Sequence, residues 1–295
     1  MSLGIVPPWH DFRNHHHHRG YQEAPMLKLD QSFRFEGQDV AWGRIGEGAP
    51  LVMLHGTPFS SQVWRRIAPL IASRRTVYFF DLLGYGQSAK ADGQDVSLGV
   101  QNKLFASLLK EWGVKEPDVL CHDFGGSTAL RTHYLNDVRY RSLLLVDPVA
   151  VAPWGSALVQ HVRKHEAAFA GAPDYIHESI LRAYLQGAAF QTLRSEALDL
   201  YMQPWLGPVG KPAFYRQIAQ MDQKFTDEVE KLYRPMNFPV RILWGREDEW
   251  IPIAQGQKLS EKLTNGVMTA VPQAGHLVQE DAPEMIVAAL FDTLQ

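Results

Sequence analysis

The sequence predicts an α/β fold in which a mostly parallel, doubly wound sheet carries an inserted helical cap. Short apolar runs of strand length alternate with helix-patterned stretches over most of the chain. This alternation is typical of a parallel sheet that is covered by helices on both faces. The runs vanish between about residues 149 and 235, where the sequence becomes helical and rich in aromatic residues, and they resume afterwards. We therefore expect one sheet domain interrupted by a cap (lid) domain.

The elements follow in order along the chain. Residues 33–35 and 40–45 flank a turn with the sequence Glu36-Gly37-Gln38-Asp39, which predicts a β-hairpin with alternating side chains. Six further apolar runs predict buried strands, at residues 51–54, 76–80, 119–121, 143–146, 240–244 and 267–271. The predicted domains are a core formed by residues 31–148 and 236–295, and a helical cap formed by residues 149–235.

Composition excludes several classes of protein. The 295 residues include one cysteine and carry a formal net charge of -3, so neither a disulfide framework nor a broad basic surface for nucleic acid is expected. No apolar run approaches the roughly 18 residues of a membrane span, and the N-terminal segment lacks the pattern of a secretory signal. We expect a cytoplasmic protein with a small neutral organic substrate, without nucleic-acid or membrane partners, and compatible with a homo-oligomer.

The first 30 residues predict a flexible N-terminal extension. They contain the polyhistidine run His15 to His18. A solvated run of this kind offers no fixed coordination geometry, so no functional metal site is expected there.

The run at 119–121 leads directly into the most informative motif. Residues 119–126 read VLCHDFGG, a buried strand that ends in small residues before a helix. The small residues Cys121 and Gly125 flank Asp123 at two positions on either side, as a sharp strand-to-helix turn around a nucleophile requires. The helix N-terminus would favour negative charge at that point. The spacing predicts that Asp123 is a nucleophile, whereas the alternative is an aspartate that caps the helix.

Two more loops end at the same predicted sheet edge. His55-Gly56-Thr57-Pro58 follows the strand at 51–54, and its glycine lets backbone N–H groups approach a ligand. Asp248 and His276 each follow a later strand. A carboxylate that orients one imidazole nitrogen leaves the other nitrogen free to take a proton from water. The three residues Asp123, Asp248 and His276 therefore predict a nucleophile, an orienting acid and a base.

These motifs together resemble the α/β-hydrolase fold superfamily. The resemblance rests on HGTP (55–58), DLLGYGQS (81–88), HDFGG (122–126), WGREDEWIP (244–252) and AGHLVQEDAPE (274–284), and it covers nearly the whole chain from residue 33. The aspartate in the HDFGG motif resembles the branch that contains epoxide hydrolases, haloalkane dehalogenases and haloacetate dehalogenases. The resemblance implies Asp123 as nucleophile, His276 as base and Asp248 as acid.

The same resemblance implies the supporting residues. The backbone amides of Thr57 and Phe124 would form the oxyanion hole. Asp147 is the alternative acid, because some dehalogenases place that carboxylate after the preceding strand. No cofactor and no metal are expected for this chemistry.

A carboxylate nucleophile favours attack on sp³ carbon. The attack would form an alkyl ester on Asp123, which water activated by His276 would hydrolyse. Phe124 and Ser127 differ from the residues that dehalogenases use to bind halide or a substrate carboxylate, so epoxides are the favoured substrate class. Tyrosines of the cap would donate a proton to the opening ring, and the candidates are Tyr175, Tyr184, Tyr201 and Tyr215.

Two alternatives stay open. A haloalkane or haloacid dehalogenase is the first, because the residues around Thr57 resemble dehalogenases more closely than epoxide hydrolases. The second is a non-hydrolytic protein of the same fold, such as a lyase, a cofactor-free oxygenase or a ligand-binding protein, since a fold alone does not determine an activity.

Overall fold

The computed structural model describes residues 24–293. Their eight strands form one sheet in the order β1-β2-β4-β3-β5-β6-β7-β8. The strands are β1 Gln31–Phe35, β2 Gln38–Ile45, β3 Ala49–Leu54, β4 Arg75–Phe80, β5 Asp118–His122, β6 Ser142–Val146, β7 Val240–Gly245 and β8 Thr269–Val271. Each strand run that the sequence predicts corresponds to one of them.

The pairing pattern of the sheet confirms a mostly parallel architecture. β1 and β2 form the predicted antiparallel hairpin, and β2 also pairs antiparallel with β4. All other neighbouring strands are parallel, for example β5 and β6 with Val119 opposite Leu143. β5 and β6 are buried at every position, because helices cover both faces of the sheet and strands there need no polar side.

The helices in the described part of the chain fall into two groups. Those outside the segment between β6 and β7 are α1 Ala68–Ile71, α2 Leu98–Glu111, α3 Phe124–Asn136, α9 Ile253–Leu263, α10 Val278–Asp281 and α11 Pro283–Thr293, the last two of which follow β8. The others lie between β6 and β7, and they are α4 Ala157–Ala170, α5 Asp174–Gln186, α6 Ser195–Met202, α7 Gly207–Ala219 and α8 Lys224–Glu230. We call residues 147–239 the helical insert.

The helical insert contacts the loops that follow the parallel strands. Trp205, in a short 3-10 turn after α6, donates its indole N–H to the carbonyl oxygen of Pro58 at 2.7 Å. Buried apolar side chains of the insert, such as Leu181 and Phe214, belong to the same core cluster as those of the sheet. The division of the chain into separate core and cap domains at residues 149 and 235 stays a prediction.

The segment before β1 is described only in part. The polyhistidine run and the rest of residues 1–23 lie outside the described residues. Leu27 is buried, and its backbone exchanges two hydrogen bonds with the side chain of Gln62. None of the helices between residues 24 and 293 combines the length and the apolar character that crossing a membrane requires.

Candidate active site

Asp123 stands at the turn between β5 and α3. Its backbone has φ 51° and ψ -120°, a conformation that L-residues rarely adopt. A Cβ atom on Gly125 would lie 2.5 Å from the carbonyl oxygen of Leu54, so the glycine that the motif predicts is required by close packing. The turn directs the Asp123 side chain toward the loop after β3, where it meets Gly56 and Thr57.

Asp123, Asp248 and His276 are brought together at the carboxyl edge of the sheet. His276 donates from Nδ1 to Asp248 Oδ2 at 2.8 Å, and its Nε2 lies 3.3 Å from Asp123 Oδ2. The other carboxylate oxygen of Asp248 accepts hydrogen bonds from the amides of Trp250 and Ile251. All three predicted residues are buried. The arrangement fixes the imidazole between two carboxylates, with Nε2 facing the proposed nucleophile.

The charges around His276 favour its protonated form in the free protein. Burial lowers the pKa of His276, but the Asp248 charge and the hydrogen bonds and charge of Asp123 outweigh it and raise the pKa well above the ordinary value. Neutralisation of Asp123, as in an ester, would remove part of that effect. His276 would then become a better match for a base near neutral pH.

Asp147, the alternative acid, lies next to this group at the end of β6. It is fully buried, and its Oδ1 accepts a hydrogen bond from the amide of Gly245. Burial and then the Asp248 charge raise its pKa well above the ordinary value. Asp248, and not Asp147, accepts the hydrogen bond from His276 Nδ1, which fits the predicted orienting acid, and its role stays a prediction.

One cluster among the described residues has the spacing of metal ligands. Donor atoms of Asp147, Asp248 and His276 lie within 4.8 Å of one another. The hydrogen bond between His276 Nδ1 and Asp248 Oδ2 uses the atoms that an ion would need. The expected absence of metal and cofactor stays a prediction.

The residues expected to form the oxyanion hole flank Asp123. The backbone N–H of Thr57 donates to Asp123 Oδ1 at 2.6 Å. Phe124 is the first residue of α3, where backbone N–H groups have no partner within the helix. A Cβ on Gly56 would lie 2.3 Å from Asp123 Oδ1, so only glycine lets this loop approach so closely.

A small cavity of about 40 Å³ opens above Asp123. Its walls come from the core on one side and from the helical insert on the other. The lining residues are mostly apolar and include no lysine or arginine; those from the insert include Trp154, Val159, Tyr184 and Met221, and Trp250 comes from the loop after β7. A cavity of this character is suited to a small, uncharged organic ligand.

The four candidate tyrosines lie in different places. Tyr184 lines the cavity, and its ring stacks on Trp250 with centroids 4.5 Å apart. Tyr201 is hydrogen-bonded to Arg65 and Glu280, and Tyr215 to His177, so neither faces the cavity. Tyr175 is 70% exposed on the surface. Of the four, Tyr184 alone is placed to donate a proton to a ligand beside Asp123.

Other residues at the site are not evident from the sequence motifs. Trp250 lies between Tyr184 and His276, with ring centroids 5.1 Å from the imidazole. Gln217 of α7 accepts hydrogen bonds from the hydroxyls of Thr57 and Tyr85. The DLLGYGQS motif contains Tyr85, so the sequence pattern could have drawn attention to that residue. Gln217 lies in none of the motifs.

The sheet is doubly wound, and an aspartate, a histidine and a second aspartate meet at its carboxyl edge. This combination is typical of hydrolases. The chain belongs to the alpha/beta hydrolase family, whose model matches residues 51–289. It is similar to a solved alpha/beta hydrolase fold protein from Burkholderia ambifaria, with 56% identity, a TM-score of 0.90, and coverage of 92% of this chain and 100% of that one.

Two curated relatives carry more specific names. A soluble epoxide hydrolase from Corynebacterium sp. (strain C12) is 26% identical over 279 residues, which cover 85% of this chain and 92% of that protein. A fluoroacetate dehalogenase from Burkholderia sp is 29% identical over 261 residues, which cover 81% of this chain and 84% of that protein. The chain is thus an alpha/beta hydrolase with distant epoxide hydrolase and dehalogenase relatives.

Proposed function

We propose that this hydrolase opens small, uncharged epoxides through a covalent ester on Asp123. The observation that carries the proposal is that Tyr184 lines the same cavity as the Asp123 carboxylate, which His276 Nε2 approaches to 3.3 Å, with no lysine or arginine among the lining residues. A neutral phenol beside a carboxylate matches the two tasks of ring opening, which are attack at carbon and protonation of the departing oxygen.

The first half-reaction transfers the epoxide carbon to the enzyme. Asp123 Oδ2 attacks one ring carbon, a C–O bond of the ring breaks, and the alkoxide takes the hydroxyl proton of Tyr184. Burial raises the pKa of Tyr184, and the charges of Asp123 and Tyr85 raise it further. Tyr184 therefore keeps its proton in the resting enzyme and gives it up only to a strong base such as an alkoxide.

The second half-reaction hydrolyses the ester. The proton on His276 Nε2 first passes to the Tyr184 phenolate, which restores the phenol and leaves the imidazole neutral. Water then gives a proton to His276 Nε2 and attacks the ester carbonyl carbon of Asp123. The negative charge that develops on Oδ1 is stabilised by the Thr57 N–H, which already lies 2.6 Å from that atom. As the intermediate collapses, His276 gives its proton to the leaving alkoxide and the diol departs; the acid proton left on Asp123 then returns to His276, which restores the carboxylate and the imidazolium.

Two observations favour epoxides over organohalides. An expelled halide needs N–H donors, and of the two indoles that line the cavity, Trp154 and Trp250, the Trp154 N–H is already donated to Thr226 Oγ1 at 2.8 Å. Phe124 contributes an apolar ring to the cavity where an N–H donor could have stood. The 3.3 Å contact between Asp123 and His276 in turn favours a hydrolytic reaction over a ligand-binding role.

A single-turnover reaction in ¹⁸O-labelled water tests the covalent mechanism. The added oxygen of the first diol should be unlabelled, because it comes from Asp123, and the label should appear in the peptide that contains Asp123. Asp123→Asn should lose turnover, and His276→Gln should accumulate the ester, which intact-protein mass spectrometry detects. Label in the first diol, or full turnover by Asp123→Asn, would overturn the mechanism.

Tyr184→Phe separates the two substrate classes. It removes the phenolic proton and keeps the ring that stacks on Trp250. Epoxide opening should slow by about a hundredfold, which is within the range of general acid catalysis. Halide release from short haloalkanes would serve as the comparison: a dehalogenase would release halide at a rate that Tyr184→Phe leaves unchanged.

A further inference from the structure

Gln217 joins the helical insert to the loop that holds the oxyanion donor. It lies on α7 and is 2% exposed. Its Oε1 accepts two hydrogen bonds, from Thr57 Oγ1 at 2.5 Å and from the Tyr85 hydroxyl at 3.0 Å. One insert side chain thus connects two loops of the core, one after β3 and one after β4.

Thr57 makes one hydrogen bond through its side chain and another through its backbone N–H. Its side chain donates to Gln217, and its backbone N–H donates to Asp123 Oδ1. Gln217 and Asp123 thus contact the same residue, one through its side chain and the other through its backbone.

Contacts from both the core and the insert restrain the loop of residues 55–58. At its start, His55 Nε2 accepts a hydrogen bond from the amide of Leu82 at 2.9 Å. The Gly56 carbonyl accepts one from the amide of Phe59 at 3.0 Å. At its end, the Pro58 carbonyl accepts from Trp205 of the insert. Contacts from the insert at Thr57 and Pro58 therefore add to those that the core makes with this loop.

We propose that Gln217 is a positioning residue that keeps the Thr57 amide aligned for ester hydrolysis, so that the insert takes part in the chemistry as well as in substrate binding. The proposal rests on the proposed function. Oxyanion donors act through precise placement, and removal of one slows reactions by about a hundredfold or more. Misalignment of the Thr57 amide should therefore slow ester hydrolysis more than ester formation.

Gln217→Leu tests the proposal, because leucine fills a similar volume without an acceptor. The fraction of enzyme present as the ester at steady state should rise, and ester hydrolysis should slow at least about tenfold. Gln220→Leu is the matched control. Gln220 directly follows the last residue of the same helix, and it is hydrogen-bonded to Val96 and Gln94 of the core, away from Thr57. An equal rise in the ester fraction for both variants would mean a merely structural role and would overturn the proposal.

A second variant tests the same hydrogen bond from the other side. Thr57→Val removes the hydroxyl and keeps the shape of the side chain and the backbone N–H. It should accumulate ester as Gln217→Leu does, and the double variant should be no slower than either single one, since both remove the same bond. A double variant that hydrolyses the ester more slowly than either single variant would contradict the proposal. If Gln217→Leu fails to fold, the comparison of Thr57→Val with Thr57→Ser decides, because serine retains the hydroxyl and should retain more hydrolysis than valine.

Failure of this proposal is distinguishable from failure of the proposed function. If His276→Gln accumulates no ester, the covalent mechanism itself is wrong. If His276→Gln accumulates the ester and Gln217→Leu does not, only the role of Gln217 is wrong.

Discussion

Asp123 and Asp147 share an unusual backbone feature at the ends of neighbouring strands. Both have a positive φ, 51° at Asp123 after β5 and 42° at Asp147 after β6. Such conformations cost on the order of 1–3 kcal/mol for a residue other than glycine and persist only where the surroundings hold them. Here they direct two carboxylates toward the imidazole of His276.

The raised pKa of Asp147 makes a prediction about stability and pH. A carboxyl that binds its proton more tightly in the folded state contributes stability below an unfolded pKa of about 3.9, and this contribution is lost as pH rises toward the folded pKa. Asparagine has no proton to lose. The free energy of unfolding of Asp147→Asn should therefore increase relative to the unsubstituted protein above about pH 4, by at most about 1.4 kcal/mol per pH unit.

Urea unfolding at a series of pH values measures this difference. Asp30→Asn, at an exposed position before β1, is the control for the loss of a carboxylate. A difference in unfolding free energy that does not change with pH for Asp147→Asn would show that Asp147 titrates alike in the folded and unfolded chains.

The site residues differ in how far the sequence predicts them. Asp123, Asp248 and His276 could be predicted because each follows a strand, and strand ends of a parallel sheet converge at one edge. The preference for Asp248 over Asp147 needed the 2.8 Å contact with His276 Nδ1. Gln217 could not be predicted, because its partners lie 160 and 132 residues away and depend on how the insert packs.

The buried guanidinium group of Arg65 connects helices of the insert and of the core through hydrogen bonds. Arg65, which ends the 3-10 turn after β3, is fully buried and donates to Glu280 of α10 and to the Tyr201 hydroxyl of α6. Tyr201 in turn donates to Glu280. Three elements far apart in the chain thus meet at one carboxylate.

We expect Glu280→Gln to lower the free energy of unfolding by about 3 kcal/mol. The substitution leaves the Arg65 charge buried without its carboxylate partner, and a buried charge without a partner is costly. Chemical denaturation measures the loss. Glu284→Gln, at an exposed position at the start of α11, should change stability by less than about 0.5 kcal/mol. Equal small effects for both variants would mean that the Arg65 cluster contributes no more than a surface pair.

The sequence predicts the strands better than it predicts the contacts of Arg65. Six of the eight strands correspond to the predicted apolar runs, since strands buried on both faces consist almost entirely of apolar residues, and β1 and β2 correspond to the predicted hairpin. The Arg65 cluster leaves no such trace, because its members lie 136 and 215 residues from Arg65.

At the scale of the whole molecule, charge is close to balanced, with a net value of -3. The cavity also lacks lysine and arginine among its lining residues. Neither long-range steering nor a local ion pair is then available to attract a charged substrate.

The kcat/KM for a neutral epoxide should therefore change by less than about twofold between about 0.05 and 0.5 M sodium chloride, because screening has little to act on. Steady-state kinetics at several salt concentrations measure it. A haloacid such as chloroacetate is the comparison substrate, and efficient, strongly salt-dependent turnover of it would favour a haloacid dehalogenase.

The position of the helical insert has a consequence for evolution. β6 and β7 are neighbours that pair in parallel, so some crossover must join them, and the entropic cost of a longer connection grows only slowly with its length. A lineage can therefore replace the insert and inherit the strand ends that carry Asp123 and Asp248. Each new insert must again provide contacts equivalent to the hydrogen bonds of Trp205 and Gln217 with the loop of residues 55–58. New substrates are then acquired by changing one segment, provided that it still holds this loop in place.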